Sequence, residues 1–287
     1  MFVETRKNAK FSTKLSRTLK RPLVPIWLQT QRTKTWQAYQ ERRLSALEPR
    51  ITHSFCIGLP KTGTHSIAKM LQCRAKHEPE THIPLFLCRN YLAGKIDIEE
   101  QVKVLKARDA MLWLEMESNW VLGLVIEPLA LAFPQAKYVL TVREPLSWLE
   151  SQINEEIETG KIEPFASAHN YMFGSEKHTK HDRILADYGH YSVAGYLSYW
   201  ASQHRRILDS IPPQQLMIVY TKEITDRAEA INDFVGSKGI NRAKTRSYAR
   251  HNKTEKVTDL LDTNYINEQV ELFTSEIWQE IAQLTSS

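Results

Sequence analysis

The chain has 287 residues, of which 42% are hydrophobic, so it can hold one large α/β domain or two small ones. This apolar content is enough for a full core and excludes a chain that is disordered throughout. No stretch reaches eighteen uninterrupted apolar residues, so the sequence predicts no membrane span. The three cysteines are odd in number and match no metal-ligand spacing, which indicates a reduced protein, and we expect a cytoplasmic one.

The positive charge is concentrated in residues 1–50. This basic arm holds twelve Lys and Arg against three Glu, a net of +9, so the remainder carries −4 of the total of +5. Basic residues alternate there with Phe11, Leu15 and Leu19, which also suits an organelle presequence or a surface that meets polyanions. We favour a solvated arm that packs locally. We expect residues 51–287 to form the functional domain, and we expect no nucleic-acid partner.

Strand and helix patterns alternate along the chain from residue 51 onward. The strand candidates are residues 51–57, 74–77, 110–116, 137–142 and 216–220. Helical patterns follow most of them, and one of these helices is predicted to begin at Ile98 with Asp97 as its N-cap. Residues 161–189 show no clear periodicity and are interpreted as a loop or lid. The alternation predicts an α/β fold with a central, mainly parallel sheet flanked by helices.

The most informative stretch is the loop Gly58-Leu59-Pro60-Lys61-Thr62-Gly63-Thr64, which follows the first strand candidate and precedes a helix. Loop amides, the helix dipole and the Lys61 ammonium all favour an anion there, either a phosphate or a sulfuryl group. A nucleotide-triphosphate P-loop has its lysine directly after the second glycine, where this chain has Thr64. The heptad therefore resembles instead the 5′-phosphosulfate loop of sulfotransferases that use 3′-phosphoadenosine 5′-phosphosulfate (PAPS).

A second motif begins about eighty residues later. Arg143 leaves the carboxyl end of the clearest strand pattern, and Ser151 lies eight residues on in the next helix. A guanidinium suits a phosphate dianion, and the pair resembles the 3′-phosphate site of the same sulfotransferases. The resemblance implies a P-loop NTPase-like sulfotransferase fold, PAPS as donor and 3′-phosphoadenosine 5′-phosphate (PAP) as product. It implies as donor-binding residues Lys61, Thr62, Gly63, Thr64, His65, Ser66, Arg143 and Ser151.

Residues 246–256 are similar to the late basic loop that closes over the adenosine in this family. The residues that match it are Arg250, Asn252 and Lys253, although the Arg-Lys-Gly form of the loop is absent. In total the resemblance spans about residues 51–256, and it does not cover the basic arm.

Two groups of residues are candidates for the general base. Tyrosylprotein and heparan-type sulfotransferases carry a catalytic glutamate roughly twenty residues after the loop cation, and Glu80 lies nineteen residues after Lys61. Glu78, His77 and His82 are close to that position. The second group contains Glu115, Glu117 and Asn119, where cytosolic sulfotransferases place a histidine that this chain lacks. We rank Glu78 and Glu80 ahead of Glu117.

These residues predict an enzyme that moves a sulfuryl group from PAPS to a hydroxyl or amine of a small molecule or carbohydrate. Lys61 would stabilise the leaving phosphate, and no metal is expected. Several glutamates near the pocket suggest a cationic acceptor, such as an amine-bearing natural product. The alternatives are a P-loop kinase and a non-catalytic adaptor that only binds nucleotide. The acceptor, the oligomeric state and the role of the arm stay open.

Overall fold

The computed structural model describes residues 34–159, 165–245 and 260–286. The chain divides into two compact units, Met1–Glu48 and Pro49–Ser287. The described part of the first unit contains helix α1, Lys34–Ser45. The predictions on residues 1–33, like those on Arg250, Asn252 and Lys253, lie outside the described residues.

The second unit is built on a sheet of five parallel strands in the order β2-β3-β1-β4-β5. Because β1 lies between β3 and β4, its carboxyl end is at a point where the strand order reverses, which is where α/β sheets bind ligands. The prediction of an α/β fold with a parallel sheet is confirmed. The strands are β1 Ser54–Cys56, β2 Ala75–His77, β3 Met116–Ser118, β4 Lys137–Val142 and β5 Leu216–Tyr220.

Helices supply the crossovers that parallel strands require. Short 3₁₀ segments occur at Trp120–Val125, Pro213–Gln215, Thr221–Glu223 and Arg242–Lys244. The α-helices are α2 Thr64–Met70, α3 His82–Leu92, α4 Ile98–Leu112, α5 Ile126–Ala132, α6 Pro145–Thr159, α7 Phe165–Phe173, α8 Arg183–Asp187, α9 Val193–Ser210, α10 Ala228–Val235 and α11 Thr263–Ser286. None of the helices in the described ranges is long and apolar enough to cross a membrane.

One apolar cluster packs α2 against the sheet. Ile67 and Met70 of α2 are fully buried and belong to the same cluster as Met116 of β3, Val139 of β4 and Val219 of β5. Full burial of such a side chain contributes roughly 1.5–3 kcal/mol. The start of α2, and the loop that leads into it, are thereby held at the carboxyl edge of the sheet.

The predicted strand over residues 110–116 is wrong. Helix α4 continues through Leu112 and ends at Trp113, which has a left-handed backbone with φ 50°. Short apolar runs fit a helix end as well as a buried strand, so periodicity alone does not separate the two. Strand β3 therefore begins at Met116, and Glu117 lies within it.

Two further differences concern element length. The loop predicted over residues 161–189 contains α7 and α8, whose Phe173 and Leu185 side chains are fully buried. The first strand is shorter than predicted, and Ile51 is half exposed. By contrast, β4 has the predicted bounds, Pro145 opens α6, and the Asp97 side chain accepts a hydrogen bond from the Glu100 amide as an N-cap.

Candidate active site

The loop after β1 lies directly on β4. A Cβ atom added at Gly58 would be 1.9 Å from Thr141 Oγ1 and 2.6 Å from Thr62 Oγ1. Thr62 is fully buried, its hydroxyl donates to the Leu59 carbonyl at 2.7 Å, and its Oγ1 lies 2.7 Å from Thr141 Oγ1. Glycine is required at residue 58 because any side chain would push the loop off the sheet.

The loop turns through two residues with left-handed backbone. Lys61 has φ 68° and Gly63, the N-cap of α2, has φ 95°. A left-handed conformation costs a non-glycine residue about 1–2 kcal/mol, and such strain concentrates at functional sites. Trp148 Nε1 donates to the Pro60 carbonyl at 2.9 Å, and Thr221 Oγ1 donates to the Thr62 carbonyl at 2.8 Å. The loop is thus held from both α6 and the segment after β5.

One face of α6 borders this loop. Arg143 Nε donates to Ser147 Oγ at 2.9 Å, and its Nη1 donates to the Lys61 carbonyl at 3.4 Å. Lys61 Nζ contacts Glu155 Oε2 at 2.7 Å. Ser147, Ser151 and Glu155 are spaced by four and share one face of the helix. The structure brings together Lys61, Arg143 and the helix face that carries Ser151.

Sequence reasoning missed Ser147 and Glu155. The serine in contact with Arg143 is Ser147, one turn before Ser151. The sequence pattern that could have indicated them is a polar residue at every fourth position, which marks one face of the helix. The other side of that helix carries Leu149 and Ile153, which are both fully buried.

The Glu78–Pro79–Glu80 turn follows β2 beside the loop. Thr64 Oγ1, at the start of α2, lies 3.2 Å from His77 Nε2, which in turn lies 3.5 Å from Glu78 Oε1. Glu78 has φ 49° and Glu80 has φ 47°, so two non-glycine residues on either side of a proline adopt left-handed backbone. The structure places the first group of base candidates next to the Lys61 loop, residues 58–64.

The titratable groups of this turn are shifted in opposite senses. Burial raises the pKa of the Glu78 carboxyl above its ordinary value. Burial, together with the charges of His65 and Lys69, lowers the pKa of His77 to about 4. Burial and the Lys69 charge also lower the pKa of His65. Both histidines are therefore neutral at pH 7, His77 is a weak base, and Glu78 is a stronger proton acceptor than an ordinary carboxylate.

The second group of base candidates is engaged by arginines. Both carboxylate oxygens of Glu117 accept hydrogen bonds from Arg108 at 2.6 Å, and Oε1 also accepts from Asn119 Nδ2 at 3.0 Å. Glu115 pairs with Arg74 at 3.1 Å and accepts from the backbone amides of Arg74 and Ile51. Both glutamates are buried and held by donors of the protein itself.

A groove opens beside Glu80. Its polar lining consists of His65, Lys69, Lys76, His77 and Glu80, with Leu112 among its apolar walls. Lys69 and Lys76 are exposed lysines, so the groove has more positive than negative charge. Within the part of the chain that the structure describes, no group of three or more His, Cys, Asp and Glu side chains is placed to hold a metal ion.

Comparison with known proteins identifies the family. A family model described as a sulfotransferase domain matches residues 54–264, well over half of the chain. A search of curated protein sequences gives no match. A sulfotransferase from Alicyclobacillus acidocaldarius is 16% identical, with a TM-score of 0.41 over 79% of this chain and 96% of that one. The sulfotransferase domain from the Synechococcus PCC 7002 olefin synthase is also 16% identical, with a TM-score of 0.37 over 84% and 96%.

Both TM-scores are below 0.5. The family assignment rests on the match over residues 54–264, which contains the Lys61 loop, the Glu78–Pro79–Glu80 turn and Arg143 with its helix. The chain belongs to the sulfotransferase domain family.

Proposed function

We propose that this chain is an enzyme that transfers a sulfuryl group from PAPS to a hydroxyl or amine of a small molecule or carbohydrate. One observation carries the proposal. In a chain of the sulfotransferase family, the strained Lys61 loop, Arg143 and the serine face of α6 meet at the carboxyl end of β1.

The chemistry of these residues fits the donor. PAPS supplies an activated sulfuryl group on its 5′-phosphate and carries a separate 3′-phosphate. Lys61 and the segment from Thr62 to Ser66 offer a cation, amides and hydroxyls for the 5′-phosphosulfate. Arg143, with Ser147 and Ser151, offers a guanidinium and hydroxyls for the 3′-phosphate. Gly58 keeps the loop backbone seated on β4, so these groups share one edge of the sheet.

The chain also has groups for the transfer. In the overall reaction the sulfur–oxygen bond to the 5′-phosphate breaks, a bond from sulfur to the acceptor oxygen or nitrogen forms, and PAP leaves with the bonding electrons. Lys61 stabilises the charge that develops on the oxygens of the leaving group. Glu78 takes the proton that the acceptor loses, because burial makes its carboxylate a stronger base.

Glu80 is the second candidate for the base. It is exposed, and His82 Nδ1 lies 3.4 Å from its Oε2. Its place in the same strained turn brings it to the edge of the groove, where it would contact an acceptor. His77 is a poorer candidate because its lowered pKa makes it a weak proton acceptor.

Two alternatives lead to different observations. A P-loop kinase would need a lysine at position 64, whereas Thr64 Oγ1 lies beside His77 Nε2. ATP and magnesium dependence without PAP binding would support that alternative. A non-catalytic adaptor would bind PAP but show no turnover with any acceptor, and it would lose its partner when residues 1–45 are deleted.

The test of the donor site is calorimetric binding of PAP to the wild type, Lys61→Ala and Arg143→Ala. Loss of a hydrogen bond to a charged group costs about 1.5–3 kcal/mol, so each variant should bind about 10- to 100-fold more weakly. Lys103→Ala, on the exposed side of α4, controls for the change in net charge. Adenosine 5′-phosphate should bind poorly. A folded wild type that fails to bind PAP would contradict the proposal.

A further inference from the structure

Arg108 and Glu117 form a buried ion pair at the edge of the sheet. Arg108 is 2% exposed and Glu117 is 4% exposed, and two parallel hydrogen bonds of 2.6 Å join them. Among the described residues no acceptor meets the buried Nε atom of Arg108. A buried ion pair of this kind loses its hydration, and apolar residues of similar size are often as stable or more stable. Stability alone therefore gives no reason for this pair.

The remaining hydrogen bond of the pair leads to one backbone atom. Arg108 Nη2 donates to the Pro79 carbonyl at 2.6 Å. Asn119 Nδ2 donates to Glu117 Oε1 at 3.0 Å and approaches the same Pro79 carbonyl at 3.4 Å. The three side chains, from α4 and from the end of β3, thus converge on the middle of the Glu78–Pro79–Glu80 turn.

The backbone conformation of that turn must be stabilised by contacts from outside the turn. Glu78 and Glu80, on either side of Pro79, have φ values of 49° and 47°. Backbone in this region persists only where surrounding contacts over-determine it. The Pro79 carbonyl lies between the two strained residues, so a donor fixed at that atom fixes the direction of both neighbouring side chains.

We propose that Arg108 and Glu117 are positioning residues. They hold the Glu78–Pro79–Glu80 turn so that the carboxylate of its general base, Glu78 in the proposed function, faces the acceptor. Glu117 orients the Arg108 guanidinium, and Arg108 fixes the Pro79 carbonyl. Glu117 therefore has this positioning role and not the role of general base for which the sequence made it a candidate. The inference rests on the proposed function, because it assumes that the turn carries the base.

The deciding variant is the double substitution Arg108→Met/Glu117→Met. It removes both charges together and fills their volume with apolar side chains, so no lone charge is left buried. We expect a folded protein with PAP affinity within about twofold of the wild type, since the donor site is untouched. We expect kcat to fall about 10- to 100-fold, because the turn is no longer held.

A matched control exists on the same helix. Asp109, next to Arg108 on α4, forms a bidentate ion pair with Arg50 at 2.8 and 2.9 Å. The hydrogen bonds of Asp109 join Arg50 and His53 to the C-terminal end of α4. The double variant Arg50→Met/Asp109→Leu therefore removes an equivalent pair, and we expect its kcat to stay close to that of the wild type.

The pH profile of kcat separates positioning from a purely structural role. If the turn loosens and Glu78 becomes hydrated, the raised pKa of Glu78 should fall toward its ordinary value, because burial is what raises it. The acid limb of the profile should then shift to lower pH in Arg108→Met/Glu117→Met. The other titratable groups around the turn are the same in both proteins: His65, Lys69, His77, Glu80 and His82.

Amide hydrogen exchange gives a readout that needs no turnover. Residues 78–82 should exchange faster in Arg108→Met/Glu117→Met than in the wild type, and at the wild-type rate in Arg50→Met/Asp109→Leu. Unchanged exchange in a folded Arg108→Met/Glu117→Met protein, or wild-type kcat with an unshifted acid limb, would overturn the positioning role. A different result would contradict the proposed function instead: residues 78–82 exchange more slowly in the wild type than in Arg108→Met/Glu117→Met, but the wild type neither binds PAP nor turns over PAPS.

Discussion

Lys61 Nζ lies 2.7 Å from Glu155 Oε2, so the cation of the Lys61 loop is joined to the helix that follows Arg143. The two side chains are 22% and 36% exposed, so the pair is partly screened by water. The contact places a carboxylate at the edge of the pocket proposed for an anionic donor. Glu155 and that donor would therefore compete for the same ammonium group.

Glu155→Gln should tighten the binding of PAP. The substitution removes a negative charge beside the proposed phosphate site and frees Lys61 from a competing partner. An exposed ion pair contributes about 0–1 kcal/mol, so we expect up to about a fivefold lower Kd in calorimetry. Glu99→Gln, a well-exposed carboxylate on α4, makes the same change in net charge and should leave the Kd unaltered. Weaker binding by Glu155→Gln would mean that this carboxylate positions Lys61 for the donor.

Glu78→Gln should abolish most of the turnover. Loss of a general base lowers kcat by about 10²- to 10⁴-fold, and PAP binding should be unchanged because the donor residues remain. In the wild type, kcat should rise with pH through the raised pKa of Glu78, above the range of an ordinary carboxyl. Steady-state kinetics against pH check both points. If Glu80→Gln loses more activity than Glu78→Gln, the base is Glu80.

The same substitution should change stability with pH. Burial raises the pKa of Glu78 in the folded protein, so the ionised carboxylate destabilises the fold at pH values above that pKa. Below a pH of about 4.5, the pKa of this carboxyl in the unfolded protein, Glu78 is protonated in both the folded and the unfolded protein, so this penalty is absent. Glu78→Gln should therefore have a higher Tm than the wild type at pH 7–8, and the difference should shrink toward pH 4. Thermal unfolding across this pH range is the measurement. A difference in Tm that stays constant with pH would contradict a raised pKa for Glu78.

Gly58→Ala should damage both stability and donor binding. Its Cβ would lie 1.9 Å from Thr141 Oγ1 and 2.6 Å from the Thr141 carbonyl oxygen, so the loop must move away from β4. Overpacking of this kind costs about 1–3 kcal/mol, and displacement of Lys61 should weaken PAP binding at least about tenfold. Gly94→Ala is the control, because its φ of 64° strains the backbone while its surroundings are open. It should lower Tm and leave PAP binding intact.

The enzyme should prefer anionic acceptors over cationic ones. The sequence suggests a cationic acceptor because four glutamates are candidates for the pocket, Glu78, Glu80, Glu115 and Glu117. In the structure, however, Arg74 neutralises Glu115 and Arg108 neutralises Glu117. The groove beside Glu80 is lined by Lys69 and Lys76. The phenols 4-hydroxyphenylacetate and tyramine differ in charge and share a hydroxyl, so their kcat/KM values test the point. The acid should be preferred by up to about fivefold for each lysine, and Lys69→Ala/Lys76→Ala should remove the preference.

The sequence was sufficient to predict the loop that precedes α2 and the elements with a strong local pattern. Gly58, Lys61 and Gly63 lie within six residues, and their spacing specifies a loop before a helix whatever surrounds it. Strand β4 has the predicted bounds because its residues are mostly apolar or β-branched and Pro145 opens the next helix. Local chain geometry and burial determine both features, so neighbouring residues suffice to predict them.

The tertiary structure decided which of the candidate carboxylates are paired with a buried arginine. Glu78, Glu80 and Glu117 are alike as letters in the sequence, yet Glu117 is buried against Arg108 and the other two lie in a strained turn. Lys61 and Glu155 meet across 94 positions of the chain, and Arg108 reaches Pro79 across 29. Such contacts depend on how helices pack on the sheet, which no local pattern records. The loop could be predicted from the spacing of its residues, whereas the partners of each charge follow from the packing of distant segments.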